Sequence, residues 1–374
     1  MKLILLLISV SSFSIAFSQK MPEFSWDKVP VYIHFGKNAG MTEAEIAFVA
    51  THSSLVSLEK GHGSNRHGST ELGIEADAVA LKLVNPHIKV MYYWNGFLDY
   101  NSYEAHKVYA QHPEWWLHNA DGTLDEKNPG LMRYDLSNEE VQNWWSDEAQ
   151  RAVINGSCDG VFLDAVPQIT TTRNIAQWGQ TKYDAILAGL DSVMVKTRRK
   201  IGNENIILYN GIRNTPTLHT GMDQLHLADA VCVEHFTHFA SAEKEQIAQD
   251  IENIISAGKQ GKIVTVKGWP SFDFTQSYIR TRTYEQLLQQ ARDEITFSLA
   301  CYLIAAQEYS YFCYSWGYRE GHGSLDWYDE FDRSLGAPEG DYVKEGWLYT
   351  RHFEFCDVSV NLETKEAKVD FYQE

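Results

Sequence analysis

The chain has 374 residues, of which 44% are hydrophobic and 22% are charged, a balance typical of a globular protein. Its formal net charge of −18 argues against a nucleic-acid partner, because phosphates attract basic surfaces. The cysteines are Cys158, Cys232, Cys301, Cys313 and Cys356. They show neither CxxC nor zinc-type spacing, so we expect no metal site and favour buried thiols over disulfides for most of them.

The first 18 residues have the features of a secretory signal peptide. Lys2 precedes a short apolar run, and Ala16 and Ser18 are the small residues expected before a cleavage site at Gln19. This run is too short to cross a bilayer, and no later segment is long and apolar enough to do so. We therefore expect a soluble protein, secreted or periplasmic, that forms a single catalytic domain over residues 19–374.

After this leader, short β-branched and aromatic runs alternate with longer helical patterns. Such alternation is typical of repeated βα units and a parallel sheet. The predicted strands number eight, as in a closed (β/α)8 barrel, and cover residues 29–37, 54–63, 88–97, 159–166, 205–213, 229–236, 262–270 and 309–316. The predicted fold class is therefore α/β, a (β/α)8 TIM barrel.

Capping signals mark helices between the strands. Thr42 with Glu45, and Ser137 with Glu140, have the spacing of a capping box. Each pair precedes an amphipathic run, so each predicts the start of a barrel helix.

Two regions of the sequence are additional to the strands and helices of a minimal barrel. The stretch of about 98–158, between strands three and four, is rich in Trp, and insertions there emerge at the C-terminal face and shape the cleft. The tail of about 317–374 contains period-two runs. These runs predict a small antiparallel β extension attached to the barrel.

Two carboxylates end strands that are otherwise apolar. Asp164 closes GVFLD and Glu234 closes AVCVE. Catalytic groups of such barrels lie at the C-terminal strand ends, and partial burial raises a carboxyl pKa, as a general acid requires. We predict that both are catalytic, although a helix cap or a salt bridge to a neighbouring strand end would also explain them. The loop acids that compete with Glu234 are Asp273, Glu320 and Asp326.

Polar and aromatic side chains end most of the other strands. They suit a sugar, whose hydroxyls bond polar groups and whose C–H face stacks on aromatic rings. For Lys267, a salt bridge to a catalytic carboxylate is slightly favoured over contact with an acidic substituent. The predicted substrate-binding residues are His34, Glu59, Lys60, Tyr93, Trp94, Asn210, Lys267 and Trp269.

Motifs for other chemistry do not occur in the sequence. It contains no GxGxxG, GxxxxGK[ST] or GxSxG, and His235 and His238 beside Glu234 do not form HExxH. We therefore expect neither a cofactor nor a metal.

The run DGVFLDAV, followed by NIILYNGIR and AVCVEHF, resembles the glycoside-hydrolase-like barrel families of bacteria. These include a group of hypothetical glycosyl hydrolases, the endo-α-1,4-polygalactosaminidase type and barrels similar to α-galactosidases. The resemblance covers essentially the whole mature chain. In those families the strand-four Asp is the nucleophile and a strand-six acid is the proton donor, so the resemblance implies these roles for Asp164 and Glu234.

The predicted function is hydrolysis of glycosidic bonds in a poly- or oligosaccharide by two carboxylates. Strands four and six can bring carboxyl groups to about 5–6 Å, which favours a retaining mechanism. The alternative is a catalytically inactive barrel that only binds carbohydrate. Both need the aromatic cleft, but only the enzyme needs two carboxylates that face each other across it.

Overall fold

The computed structural model describes residues 20–215 and 218–372, so the predicted cleavage site before Gln19 lies outside the described residues. Eight parallel strands form one sheet whose spatial order follows the chain. They are β1 (Tyr32–Phe35), β2 (Leu55–Leu58), β3 (Lys89–Asn95), β4 (Gly160–Asp164), β5 (Ile206–Asn210), β6 (Ala230–Val233), β7 (Ile263–Gly268) and β8 (Ser310–Tyr314).

The sheet curves until its first and last strands meet. Val31 forms a parallel bridge with Phe312, whose amide donates to the Pro30 carbonyl at 2.8 Å. At the other end of β1, the Gly36 amide donates to the Tyr318 carbonyl at 2.8 Å. The predicted TIM-barrel fold is therefore confirmed. Every strand is shorter than predicted at both ends, and the residues after each strand turn away into the loops of the C-terminal face.

Within the described ranges, six helices of ten residues or more surround the barrel. They are α1 (Glu43–His52), α2 (Thr70–Val84), α3 (Glu139–Gln150), α4 (Gln180–Ile201), α5 (Lys244–Lys259) and α6 (Tyr284–Ala305). Shorter helical segments are Ser64–His67, Ala105–Tyr109, Val166–Thr170 and Ile175–Trp178, and a π-helical turn, Arg151–Asn155, follows α3. The 3₁₀ turns are Pro113–Trp115, Thr172–Asn174, Leu225–Leu227, Phe239–Ser241, Ser277–Thr281, Glu320–His322 and Asp329–Asp332.

One of the two predicted capping boxes is present. The Thr42 side chain accepts from the Glu45 amide, and the Glu45 carboxylate accepts from the Thr42 amide. The second was wrong by one residue, because the Ser137 hydroxyl donates to Asp135 instead and Asn138 caps α3.

The connection between β5 and β6 departs from the regular barrel unit. The antiparallel hairpin Arg213–Thr215 and Leu218–Thr220 follows β5, and no α-helix is described before β6. The hairpin is fixed to α5 because Asn214 donates to the buried Asp250, which also accepts from Ser241. This short connection places Arg213 beside the mouth of the barrel.

The C-terminal tail forms the predicted antiparallel sheet. Its strands are β9 (Val343–Glu345), β10 (Leu348–Phe353), β11 (Cys356–Asn361) and β12 (Glu366–Phe371). The buried Arg351 attaches the sheet to the barrel by donating to the carbonyls of Leu303, Ile304 and Ala306 at the end of α6. A cation is favourable there because the last carbonyls of a helix lack intrahelical partners.

None of the helices in residues 20–215 and 218–372 combines the length and apolarity needed to span a membrane.

Candidate active site

A cleft of about 450 Å³ opens where the barrel strands end. Its size is within the usual range for small-ligand sites, about 300–1,000 Å³. Both predicted catalytic carboxylates lie in it, together with residues of several loops. Among the lining residues are Glu59, Lys60, Tyr100, Lys127, Asp164, Asn210, Arg213, Glu234, His235, Phe239, Phe274, Tyr318, Arg319 and His322.

Asp164 is the last residue of β4, and three neutral groups donate hydrogen bonds to it. Tyr93 Oη donates to Oδ2 at 2.5 Å, Asn95 Nδ2 donates to the same oxygen at 3.0 Å, and Asn210 Nδ2 donates to Oδ1 at 2.8 Å. Asn95 Nδ2 and Lys60 Nζ also lie near Tyr93 Oη, and both are themselves donors. The Tyr93 proton is therefore directed at Asp164, and the surroundings orient this carboxyl group rigidly.

Glu234 directly follows β6 and faces a different set of donors. Tyr318 Oη donates to Oε1 at 2.8 Å, while Arg213 Nη2 and His235 Nε2 lie 3.5 and 3.3 Å from Oε2. Trp269 Nε1 donates to the Glu234 carbonyl at 2.7 Å and so fixes the backbone. Glu234 thus has cationic or ionisable neighbours, whereas the direct partners of Asp164 are neutral.

The two carboxyl groups differ in pKa. Burial, and then the charge of Glu234, raise the pKa of Asp164 above its ordinary value. Burial alone would also raise the pKa of Glu234, but the hydrogen bond and charge of His235 and the charge of Arg213 hold this pKa well below its usual value. When the two carboxyl groups hold one proton between them, these neighbours therefore favour the arrangement with the proton on Asp164.

Glu59 and Lys60 form an ion pair at the end of β2, beside the same cleft. Glu59 accepts from Lys60 Nζ at 2.6 Å and from His34 Nε2 at 2.8 Å. Burial would raise the pKa of Glu59, but the charge of Lys60 and these hydrogen bonds lower it to about 2. Glu59 is therefore ionised and neutralises Lys60.

The family of the chain follows from comparison with known proteins. The model of hypothetical glycosyl hydrolase family 15 matches residues 82–356. The chain belongs to this family. The glycoside-hydrolase resemblance of the sequence is thereby confirmed, and membership of family 15 supports a glycosidase. No curated protein matches the sequence.

Three solved structures illustrate the fold that this family 15 member shares. The noncanonic maltogenic α-amylase AmyB from Thermotoga neapolitana is 10% identical, with 92% of this chain and 94% of that chain covered and a TM-score of 0.50. An α-galactosidase from Thermus thermophilus is 14% identical, with 92% and 68% covered and a TM-score of 0.47. A cycloisomaltooligosaccharide glucanotransferase from Paenibacillus sp. is 15% identical, with 67% and 40% covered and a TM-score of 0.47. This chain spans less than half of the last structure, and at such identities the likeness is one of fold.

The structure places the predicted substrate-binding residues at different depths. Glu59, Lys60 and Asn210 line the cleft of this family 15 protein. Tyr93 is buried and reaches the site through Asp164. His34 lies beneath Glu59 with its side chain 0% exposed, so it supports Glu59 and does not line the cleft.

Lys267 of β7 and Trp269 directly after β7 were expected to contact the substrate or a catalytic carboxylate, and neither does so directly. Lys267 Nζ donates to the Ser315 carbonyl and hydroxyl and lies 4.0 Å from the Trp269 ring centre, so the expected salt bridge was wrong. Its pKa is lowered by burial. Trp269 is buried behind Glu234. It supports the Glu234 backbone and does not line the cleft.

Trp94 was wrongly predicted as a substrate-binding residue. Side chains alternate along β3, so Tyr93 and Asn95 face the barrel axis and Trp94 faces the helices. Its indole Nε1 donates to the Trp145 carbonyl, and its ring lies 5.5 Å from that of Trp144. Trp94 is therefore part of the core between β3 and α3.

Trp94→Ala should destabilise the protein by about 3–5 kcal/mol, because it leaves a large cavity in this core. Urea unfolding would measure the loss, with Trp94→Phe as a milder control. The folded fraction should bind glycans with unchanged affinity. Weakened glycan binding at unchanged stability would show that Trp94 contacts substrate after all.

The loop acids that competed with Glu234 have other partners. Asp273 accepts from the amide and hydroxyl of Thr275 and pairs with His238. Asp326 accepts from Tyr284, and the exposed Glu320 begins a 3₁₀ turn. None of these three acids lines the cleft that holds Asp164 and Glu234.

Several lining residues were missed from the sequence because they lie on loops. Arg213 stood at the end of a predicted strand, and Tyr318 and Arg319 follow the eighth strand closely. Their position after a strand was a usable signal. Lys127 lies in the 98–158 insertion, on the hairpin Glu126–Asn128 and Leu131–Met132, and periodicity does not reveal where such a hairpin folds.

No cluster of three or more His, Cys, Asp or Glu in the described ranges is arranged to hold a metal ion. The five cysteines, all within those ranges, are buried and free.

Proposed function

We propose that this family 15 member cleaves glycosidic bonds in a poly- or oligosaccharide with net retention, using Asp164 as nucleophile and Glu234 as acid and base. The observation that carries the proposal is that Asp164 and Glu234 line one cleft at the mouth of the barrel. The two groups interact, because the charge of Glu234 raises the pKa of Asp164, and Asn210 Nδ2 between their strands donates to Asp164 at 2.8 Å. Two interacting carboxyl groups in one cleft support the direct attack of a retaining enzyme, in which they lie about 5–5.5 Å apart.

In the first step, Asp164 attacks the anomeric carbon while the bond to the leaving oxygen breaks. Glu234 gives its proton to that oxygen, so the leaving group departs as an alcohol and the sugar stays esterified to Asp164. In the second step, Glu234 takes a proton from water, whose oxygen attacks the anomeric carbon and releases Asp164. Two displacements at one carbon restore the original configuration.

The proposed reaction uses the arrangement with the proton on Glu234, which is the less favoured one before substrate binds. The two carboxylates titrate together, so both arrangements of one proton coexist. The apparent kcat/KM is then reduced by the fraction of protein in the competent arrangement. This accounts for the raised pKa of Asp164 without changing its role as nucleophile.

The lining groups suit a sugar ring. Asn210 Oδ1 is buried without a hydrogen-bond partner in the described residues, so a sugar hydroxyl can donate to it. The rings of Tyr100, Phe239, Phe274 and Tyr318 supply apolar surface around the carboxylates. These aromatic residues come from loops, not from the strands that the sequence singled out.

Incubation with a panel of polysaccharides should release reducing ends, and NMR of the first product should show the anomer of the substrate. Asp164→Asn is the control for contaminating activity. A first product of the opposite anomeric configuration would refute the retaining mechanism. Binding without release of reducing ends from any glycan would favour the inactive carbohydrate-binding barrel.

We also propose that the protein is exported and begins at Gln19 after cleavage of residues 1–18. The small residues Ala16 and Ser18 after a short apolar run support this. Intact-mass analysis of the extracellular or periplasmic protein should give the mass of residues 19–374. A mass that includes Met1 would contradict the proposal.

A further inference from the structure

The cleft is cationic although the protein as a whole is strongly acidic. In the described part of the chain, the cleft is lined by the cations Lys60, Lys127, Arg213 and Arg319, against the acids Glu59, Asp164 and Glu234. His235 pairs with Glu234, and burial lowers the pKa of His322 to about 4, so neither adds an unmatched charge at neutral pH. Because the chain as a whole has a net charge of −18, this local excess of cations is a property of the site.

Two of the four cations are already matched by carboxylates. Lys60 Nζ donates to Glu59 at 2.6 Å, and Arg213 lies 3.5 Å from Glu234. These pairs keep the two cations close to the reacting groups. Because the pairs are neutralised within the protein, they do not by themselves select a charged substrate.

The other two cations have no carboxylate partner among residues 20–215 and 218–372. Lys127 is exposed on its hairpin and forms neither an ion pair nor a hydrogen bond there. Arg319 Nη1 donates to the neutral Asn38 Oδ1 at 2.7 Å. Both side chains line the cleft, so they present charge to whatever occupies it.

The electrostatic surroundings of Lys127 favour an anion. Loss of solvent at the cleft lowers the pKa of Lys127 most, the charge of Asp164 raises it, and the charges of Lys60 and Arg133 lower it further. Lys127 therefore lies close to other cations, and a bound anion would relieve the repulsion between them. An excess of cations in a cleft attracts ligands of the opposite charge.

We infer that the substrate is an acidic glycan and that Lys127 and Arg319 bind a carboxylate or sulfate substituent of a sugar held in the cleft. The inference rests on the proposed glycosidase, whose substrate it specifies. Charge-assisted contacts of this kind are stronger than neutral hydrogen bonds, so they select the acidic glycan over its neutral counterpart.

The test measures binding to Asp164→Asn, which holds the glycan without cleaving it. The probes are uronic-acid oligosaccharides with their methyl esters, and sulfated galactan oligosaccharides with their desulfated forms. Calorimetry at low and high salt should show that one acidic series binds more tightly than its neutral match and weakens as salt rises. The series that binds distinguishes carboxylate from sulfate.

Variants of the two cations then show which side chains contact the acidic substituent. Lys127→Ala and Arg319→Ala should each weaken binding of the acidic oligosaccharide by about 10- to 100-fold, and Lys127→Arg should retain most of it. Lys107→Ala is the matched control, because Lys107 belongs to the same insertion but pairs with Glu104 outside the cleft. Equal loss in Lys107→Ala would overturn the assignment.

Other outcomes separate this inference from the proposed function. If neither acidic series binds, or if the neutral forms bind as tightly, the inference is wrong. Cleavage of neutral glycans alone by the unaltered protein would also overturn it and would leave the glycosidase in place. Acidic glycans that are bound but never cleaved would support anion recognition and contradict the glycosidase.

Discussion

Asp164→Ala should lower kcat/KM by about 10⁴- to 10⁶-fold, the range found when a catalytic nucleophile is removed. The reason is geometric, because Tyr93, Asn95 and Asn210 hold this carboxylate in one orientation, which no neighbouring side chain can reproduce once it is removed. Initial rates on a cleaved glycan and on an activated aryl glycoside would measure the loss.

Addition of azide to Asp164→Ala tests specifically whether Asp164 is the nucleophile. In Asp164→Ala the small anion can occupy the space of the missing carboxylate and attack the anomeric carbon from that side. The expected product is a glycosyl azide with configuration opposite to the substrate. A glycosyl azide of retained configuration from this variant would contradict the assignment of Asp164 as nucleophile.

Glu234→Ala should affect the two steps differently. Hydrolysis of unactivated glycans should fall by about 10²- to 10⁴-fold, because the leaving oxygen no longer receives a proton. Aryl glycosides with good leaving groups need little acid, so they should still form the intermediate on Asp164. That intermediate should accumulate and be detectable by mass spectrometry, since no base activates water in the second step.

Azide and pH complete the test of Glu234. Azide needs no general base, so it should accelerate turnover of Glu234→Ala and give a product of retained configuration. The fall in rate at high pH should disappear with activated substrates, because that fall reports loss of the shared proton needed on Glu234. Tyr318→Phe, which removes one donor to Glu234, serves as a milder comparison. An inverted azide product from Glu234→Ala would exchange the two roles.

The lower pKa of Glu234 is compatible with the opposite assignment, in which Glu234 is the nucleophile and Asp164 is the acid and base. His235 and Arg213 stabilise the ionised form of Glu234, as a nucleophile would require. The direct donors to Asp164 are neutral, and the charge of Glu234 raises its pKa, as an acid would require. The azide products of the two variants decide between these assignments, because configuration reports the side of attack and not the resting protonation state.

The sequence by itself determined the barrel and the two carboxylates at its mouth. Eight short apolar runs alternating with helical patterns can bury both faces of a parallel sheet in few other ways. Because parallel strands all end at one rim, a carboxylate that closes an apolar strand must lie near that rim. Asp164 and Glu234 were therefore predictable from position alone, as were Glu59, Lys60 and Asn210.

Only the tertiary structure decided the contacts that long-range packing makes. Whether Trp94 or Tyr93 faces the barrel axis depends on strand register, and a shift of one residue reverses every side chain. The partner of Lys267 is Ser315, which directly follows the next strand, and not a catalytic acid. The cations Lys127 and Arg319 lie on loops, whose paths are set by the barrel they cover and not by local periodicity. For the same reason, the charge of the cleft could not be derived from an overall charge of the opposite sign.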